Sequence, residues 1–258
     1  MSWISHEDRG PVRWLTLSNP GRRNAVPADG WSELGGALAE FEQSPARVLV
    51  IRGDGEDFCA GADLDPGGAD ETGLVARHRR MKVVAAAATS LHRLAKPTVA
   101  AVDGVAVGAG LNLALGCDVV IATTRARFSE IFVRRGLTID FGGTWLLPRI
   151  VGLQRAKEMA LSGRIVDADE AHRIGLCLDL VEPQDLEQAA QRLAESFLAG
   201  APVAQMFAKQ GIDAAWEVSF QEALGWEGQS QSICFGTDDF EEGVSAFLEK
   251  RPPDFRGR

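Results

Sequence analysis

Cysteine and histidine are scarce in this chain, and neither is arranged for chemistry. The four cysteines, Cys59, Cys117, Cys177 and Cys234, lie far apart and form no CxxC pair. That spacing argues against a zinc site or a disulfide framework and fits reduced thiols in a cytosol. A catalytic cysteine needs a partnered base, and His6, His78, His92 and His172 sit in no recognisable nucleophile motif. Positive charge is also short. The net charge is −9, so a nucleic-acid surface would have to be a local basic patch. The basic clusters, Arg77–Arg80 and Arg134–Arg135, are brief, and the first reads as a solvated helix face. No apolar run is long enough to span a bilayer. The opening "MSWISHEDRGPVRW" carries charges where a signal peptide would need an apolar core. The expectation is a cytoplasmic protein with no metal, no nucleic-acid partner and no membrane partner.

The chain's 258 residues, 45% apolar and 24% charged, suffice for one substantial hydrophobic core. "VRWLTLS" (Val12–Ser18) alternates as a strand does. From Ala28 to Gln43 the residues Trp31, Leu34, Leu38 and Phe41 recur at helical spacing. "RVLVIRG" and "KPTVAAVDG" are short apolar runs of the kind that form buried strands, and "DVVIATTRARFS" is a further strand with its exit. Arg77–Leu94 reads as a helix. Between them lies "DGEDFCAGADLDPGGAD", too long and glycine-rich for a simple turn. Strands alternate with helices over roughly the first 180 residues, which predicts an α/β architecture. Beyond Pro183 four helical segments follow, punctuated by Pro202 and Pro252–Pro253. This tail carries Met206, Phe207, Trp216, Phe220, Trp226, Phe235 and Phe247. It either covers the core or packs against another subunit.

Two glycine turns draw attention because each follows a buried strand: "DFCAGADL" (Asp57–Leu64) and "DGVAVGAGLNLA" (Asp103–Ala114). The second is close to a dinucleotide fingerprint, but Leu113 stands where the third glycine of G-x-G-x-x-G belongs. A plainer reading is that small residues let a helix approach a sheet. A third is that backbone N–H groups in the two turns converge as donors for a developing negative charge, with glycine and alanine allowing a ligand close to the main chain.

The segments "FCAGADL", "AVDGVAVGAGLNLALGCDVVIA" and "GGTWLLPRIVG" resemble the enoyl-CoA hydratase/isomerase, or crotonase, superfamily. The resemblance runs from "VRWLTLSNPGRRNAV" to "AFLEKRPPDFRGR". It implies a crotonase-like spiral of ββα units with a helical C-terminal region. The spiral core would occupy residues 1–195 and bind acyl-CoA, and residues 196–258 would form a trimerisation region, in a homotrimer or a dimer of trimers. The implied ligand is an acyl-CoA thioester; coenzyme A is then part of the substrate, and no separate cofactor is expected. By motif position the thioester oxygen would sit in an oxyanion hole between the N–H groups of Ala62 and Ala109. The family usually has glycine at the second place, and Ala109 keeps the N–H while adding a methyl group. The resemblance further places Arg22, Asn24, Ala25, Ala60, Asp63 and Leu64 at the coenzyme A, with Arg23, Lys250 and Arg251 as looser phosphate candidates.

The departure from the hydratases is in the acids. Their two water-holding glutamates correspond to Asn112 and Phe132, both expected to face substrate. Asn112 can orient a group but is no base at neutral pH, and Phe132 cannot exchange a proton. Two acids remain. Glu130 lies two residues before Phe132 and reads as a surface or salt-bridging carboxylate, with a register shift into the site as the alternative. Asp140 stands where some isomerase relatives and a dehalogenating relative place a catalytic aspartate; otherwise it would cap the helix that follows. A lone carboxylate beside an oxyanion hole suits a proton shuttle better than water addition. The favoured expectation is therefore an enoyl-CoA isomerase using Asp140, ahead of a hydratase with a rearranged acid and a silent acyl-CoA binder. Phe141 and Trp145 would supply apolar surroundings that raise the carboxylate's pKa, or are plain core.

Overall fold

The computed structural model describes residues 2–64 and 73–258. The far end of the long glycine-rich loop, from residue 65, lies outside them. The chain begins with an antiparallel pair, β1 (Ile4–Arg9) and β2 (Val12–Leu17), then α1 (Gly30–Gln43), β3 (Val48–Gly53), α2 (Leu74–His92) and β4 (Thr98–Val102). The four apolar residues read at helical spacing in α1 are all buried. β1 escaped the sequence pattern because it is an edge strand: Ile4 alone is buried, and the residues after it alternate nothing.

From β4 the chain steps out to β5 (Val105–Val107), returns through α3 (Ala109–Leu115) to β6 (Val119–Thr123), and steps out again to β7 (Arg127–Ser129). The segment expected as one strand with its exit, Asp118–Ser129, is thus two strands in two sheets. A 3-10 turn (Ile131–Arg135), α4 (Gly143–Val151), α5 (Leu153–Ser162), β8 (Val166–Asp167) and α6 (Ala168–Arg173) lead to β9 (Asp179–Val181). The main sheet has the order β1-β2-β3-β4-β6-β9, and the smaller one β5-β7-β8. This is the expected spiral of strand, strand and helix. Each new strand adds to the same edge of the main sheet, so the order never reverses. A dinucleotide-binding sheet binds its ligand where the order reverses, and that alternative falls.

Strand register sorts the core into two faces. Leu15, Ile51 and Ala100 pair across β2, β3 and β4 and join the larger apolar cluster with α1, α2 and α3. Their neighbours Trp14, Val50 and Val99 pair in the same ladder and face the other way. There they meet Ala190 and Ala194 of α7 (Leu186–Leu198), and Trp14 donates its indole N–H to Gln191 at 2.8 Å. With apolar residues on both faces, these strands read as continuous hydrophobic runs. α7 continues past residue 195, so the helix that closes the sheet straddles the expected boundary.

The remaining helices are α8 (Pro202–Ala214), α9 (Phe220–Cys234) and α10 (Asp238–Glu249). α9 starts with a reciprocal capping box between Ser219 and Glu222. Phe207 and Trp226 meet edge to face across α8 and α9. Trp216, Phe220 and Phe247 stay 73–82% exposed, so these side chains do not pack on the chain's own core. Among the described residues no helix is long and apolar enough to cross a membrane.

Candidate active site

The two glycine turns are laced together. The Cys59 N–H donates to Val105 O at 2.9 Å, and the Val107 N–H returns to Cys59 O at 3.1 Å. The approach is so close that a Cβ on Gly110 would lie 2.2 Å from Cys59 O. At Gly61, φ is +86° and a Cβ would lie 2.9 Å from Val107 O and 3.5 Å from the Ala109 nitrogen. Only glycine satisfies both demands there. Cys59 is fully buried in this seam, and burial pushes its thiol up to about 12. It is a packing residue and not a nucleophile.

The seam walls a cavity of about 360 Å³. Arg22, Ala25, Ala60, Ala62, Asp63, Leu64, Ala109, Phe132 and Asp140 all line it, together with Arg23. Among the described residues, the N–H groups of Ala62 and Ala109 have no main-chain acceptor. Arg22 and Asp63 approach to 3.7 Å, as do Arg23 and Asp57 to 3.6 Å. Ile131, Arg135 and Leu137 also line the cavity, and sequence reasoning missed them. Their signal was the 3-10 turn carrying Phe132, which brings residues three apart to one side and so aligns Arg135 with Phe132.

Two expected site residues lie elsewhere. Asn24 is buried with φ +56°, and its amide is consumed by the main chain: Nδ2 donates to Asp54 O and Asp57 O, and Oδ1 accepts from the Asn19 N–H. It builds the loop under Ala25, and both of its amide N–H groups are used by the main chain. Asn112 is wholly buried behind the cavity wall and donates Nδ2 to Asp140 O at 3.0 Å. It touches the main chain of the acid and not the space where substrate would lie. Arg251 is held by Glu242 and Glu249, both at 2.6 Å.

Asp140 is not a helix cap. α4 begins at Gly143 with Gly142 as its N-cap and no side-chain capping bond. Asp140 Oδ1 is buried without a hydrogen-bond partner, and burial raises the carboxyl to about 6. The residue after it, Phe141, adopts φ +50°, and Gly142 follows at +83°. Two successive left-handed residues, one of them bulky, mark a backbone held in a costly shape at the acid. Phe141 is buried 4.9 Å from Trp31. Trp145 is tied to Glu217 by its indole N–H and covered by the Arg149 guanidinium at 3.7 Å.

Glu130 corrects the sequence reading. It is fully buried, forms no ion pair among the described residues, and neither carboxyl oxygen has a partner. Burial raises it to about 8; the Asn112 amide acts in the opposite sense, and the charge of Asp140 adds to the rise. It does not line the cavity. A second cavity, of about 620 Å³, opens beyond Phe141 and Gly142, walled by Trp145, Leu146, His92 and Leu94, with Lys209, Asp213 and Glu217 at its polar side.

The spiral sheet and the laced turns, beside a cavity lined by Asp63 and Asp140, stand in agreement with the comparison with known proteins. The enoyl-CoA hydratase/isomerase family model matches residues 7–258, and the chain belongs to that family. It is 39% identical to the 1,2-epoxyphenylacetyl-CoA isomerase of Escherichia coli, over 99% of this chain and 98% of that one. It is 38% identical to the 2,3-dehydroadipyl-CoA hydratase of the same organism, over 99% and 98%. Among solved structures, an enoyl-CoA hydratase/isomerase from Cupriavidus metallidurans superposes with a TM-score of 0.91 at 36% identity, covering 100% of this chain and 97% of that one. Similarity therefore reaches relatives named for isomerisation and relatives named for hydration.

Proposed function

We propose that this acyl-CoA enzyme shifts a double bond, with Asp140 as the group that removes and returns the proton. The observation that carries this reading is the pair of acids on the cavity wall. Asp63 lies beside Arg22, whereas Asp140 presents a buried, unpartnered oxygen whose pKa is lifted towards neutrality. A base of that strength is mostly ionised near pH 7 and strong enough to take a proton from carbon next to a polarised carbonyl. The N–H groups of Ala62 and Ala109 would form the oxyanion hole.

The chemistry balances without water. The Asp140 carboxylate takes the proton on C2 of a 3-enoyl thioester. The released electron pair delocalises to the thioester oxygen, where two N–H donors stabilise it. The protonated Asp140 returns the proton to C4, leaving the 2-enoyl product. Coenzyme A belongs to the substrate, and no further cofactor takes part. Hydration would need a second group to hold water. Phe132 fills one such place, and Asn112 and Glu130 lie behind the wall. Arg22 and Arg23, which line the cavity, would meet the coenzyme A phosphates. The exposed apolar residues of α8–α10 support assembly with further copies as a trimer or hexamer, which light scattering measures directly.

The test is a paired assay in oxygen-18 water, giving the protein a trans-2-enoyl-CoA and a 3-enoyl-CoA and reading products by mass spectrometry. Double-bond migration without label uptake, abolished in Asp140→Asn, supports the isomerase. Label incorporation makes it a hydratase, and tight thioester binding with no turnover makes it a silent binder.

A further inference from the structure

Three buried polar atoms behind the cavity wall lack hydrogen-bond partners: both carboxyl oxygens of Glu130 and Oδ1 of Asn112. Buried polar atoms are nearly always paired, so three orphans in two adjoining side chains call for a reason. As a carboxylate, Glu130 would set two acceptors against a third. As a carboxylic acid it carries the one donor that Asn112 Oδ1 lacks.

The surroundings of Glu130 favour the acid. Arg134 and Arg135, on the turn that follows it, direct their guanidinium groups to Ser162 O and Arg134 O. On α5 and beyond it, Glu158, Arg164 and Glu170 are tied to one another. Asp167, the last residue of β8 and the N-cap of α6, accepts the Glu170 N–H. The charged group that acts on Glu130 is Asp140, and it is of like sign. Asn112 is itself fixed: its Nδ2 donates to the main-chain oxygen of Asp140, and Gly143 packs so tightly that a Cβ there would lie 2.3 Å from Oδ1.

We infer that Glu130 is a positioning residue which, as a neutral acid, donates to Asn112 Oδ1. Asn112 in turn holds the Asp140 peptide, so that the reacting carboxylate is aimed by a chain of three residues. The rise of Glu130 to about 8, caused first by burial, agrees with this. The inference rests on the isomerase reading only for the reaction that Asp140 performs; the chain itself is independent of it.

The experiment compares wild type, Glu130→Gln and Glu130→Leu, each checked for folding by thermal unfolding. Glutamine keeps a donor for Asn112 and cannot ionise; leucine keeps the bulk and removes the donor. In the 3-enoyl-CoA assay, wild-type kcat falls on an alkaline limb near pH 8. Glu130→Gln recovers most of the neutral-pH kcat and lacks that limb. Glu130→Leu loses kcat by about ten- to a hundredfold with little change in KM. A Glu130→Leu enzyme with full kcat, or a Glu130→Gln enzyme that keeps the alkaline limb, overturns the inference. An infrared titration of the Asp140 carboxyl, identified by its loss in Asp140→Asn, requires no turnover. Its midpoint stays near 6 in Glu130→Gln and moves in Glu130→Leu; an unmoved midpoint in both refutes the chain. If wild type isomerises nothing, the isomerase reading has failed, and the infrared result alone decides the role of Glu130.

Discussion

The side-chain amide of Asn112 donates to the main-chain oxygen of Asp140 at 3.0 Å. A residue of α3 thereby grips the loop before α4 at the acid itself. The resemblance to the hydratases leads one to expect a glutamate that works on water at this position. Here it holds an amide that works on the peptide of another acid. An amide donates to a carbonyl and a carboxylate does not, so the contact depends on the residue being Asn.

With Asp140 as the proposed base, activity is expected to have an acid limb. The Asp140 carboxyl is lifted from 3.8 to about 6 by burial, and the base must be ionised to work. Activity is therefore expected to rise with pH through about 6, as read from kcat/KM profiles, and Asp140→Asn removes turnover at every pH. Stability carries the opposite sign. A carboxyl whose pKa is raised on folding stabilises the native state below about pH 4 and loses that contribution as pH climbs through 6. Asp140→Asn is thus expected to be more stable than wild type by about 1–2 kcal/mol at pH 7, with the gap closing below pH 4 in denaturant titrations.

Removing one of the two free N–H groups tests the oxyanion hole without altering charge. Ala109 is the first residue of α3, where proline is tolerated because the N–H there has no partner within the helix. Ala109→Pro is expected to fold and to lose roughly 10²–10³ in kcat. Normal kcat in a folded variant would remove Ala109 from the mechanism.

The glycines divide by what a methyl group would meet. Gly110→Ala drives a Cβ into Cys59 O at 2.2 Å, a main-chain atom that cannot swing aside. It is expected to cost about 3 kcal/mol or more in chemical denaturation. Gly36, in the exposed face of α1, has nothing within 4 Å. Gly36→Ala is expected to stabilise by about 0.5–1 kcal/mol. Equal effects from the two changes would contradict the packing described.

Thiol labelling reads the seam directly. Cys59, Cys117 and Cys177 are buried, with thiols pushed up by burial, Cys177 to about 11. Cys234 is half-buried. A thiol reagent at pH 8 is expected to modify Cys234 first in the native protein and the other three only on unfolding, as followed by peptide mass mapping.

The sequence was most readable where burial imposes a period. The stripe of α1, the two-faced strands and the four C-terminal helices all follow from it, and the cavity-lining alanines follow from the glycine turns beside them. Asn24 is expected at the coenzyme A by resemblance, and Glu130 is expected at the surface because a carboxylate suggests solvent. Asn24 spends its amide on three main-chain groups, and Glu130 is sealed away from solvent beside another acid. Neither fate has a local signature, because each depends on which distant segment closes over the residue. The edge strand β1 failed for a different reason, having a single buried residue from which no period can be read.

The lacing of Cys59 to Val105 and Val107 fixes one wall of the cavity through peptide groups alone. The donors proposed for the thioester oxygen are written in backbone shape, so they tolerate changes of side chain that respect the glycines. The proposed proton-handling group, Asp140, is a side chain on a separate turn, and one codon can change it. In the proposed mechanism such a chain could exchange its reaction while leaving its backbone donors untouched, and relatives named as a hydratase and as an isomerase stand at 38% and 39% identity to this one sequence.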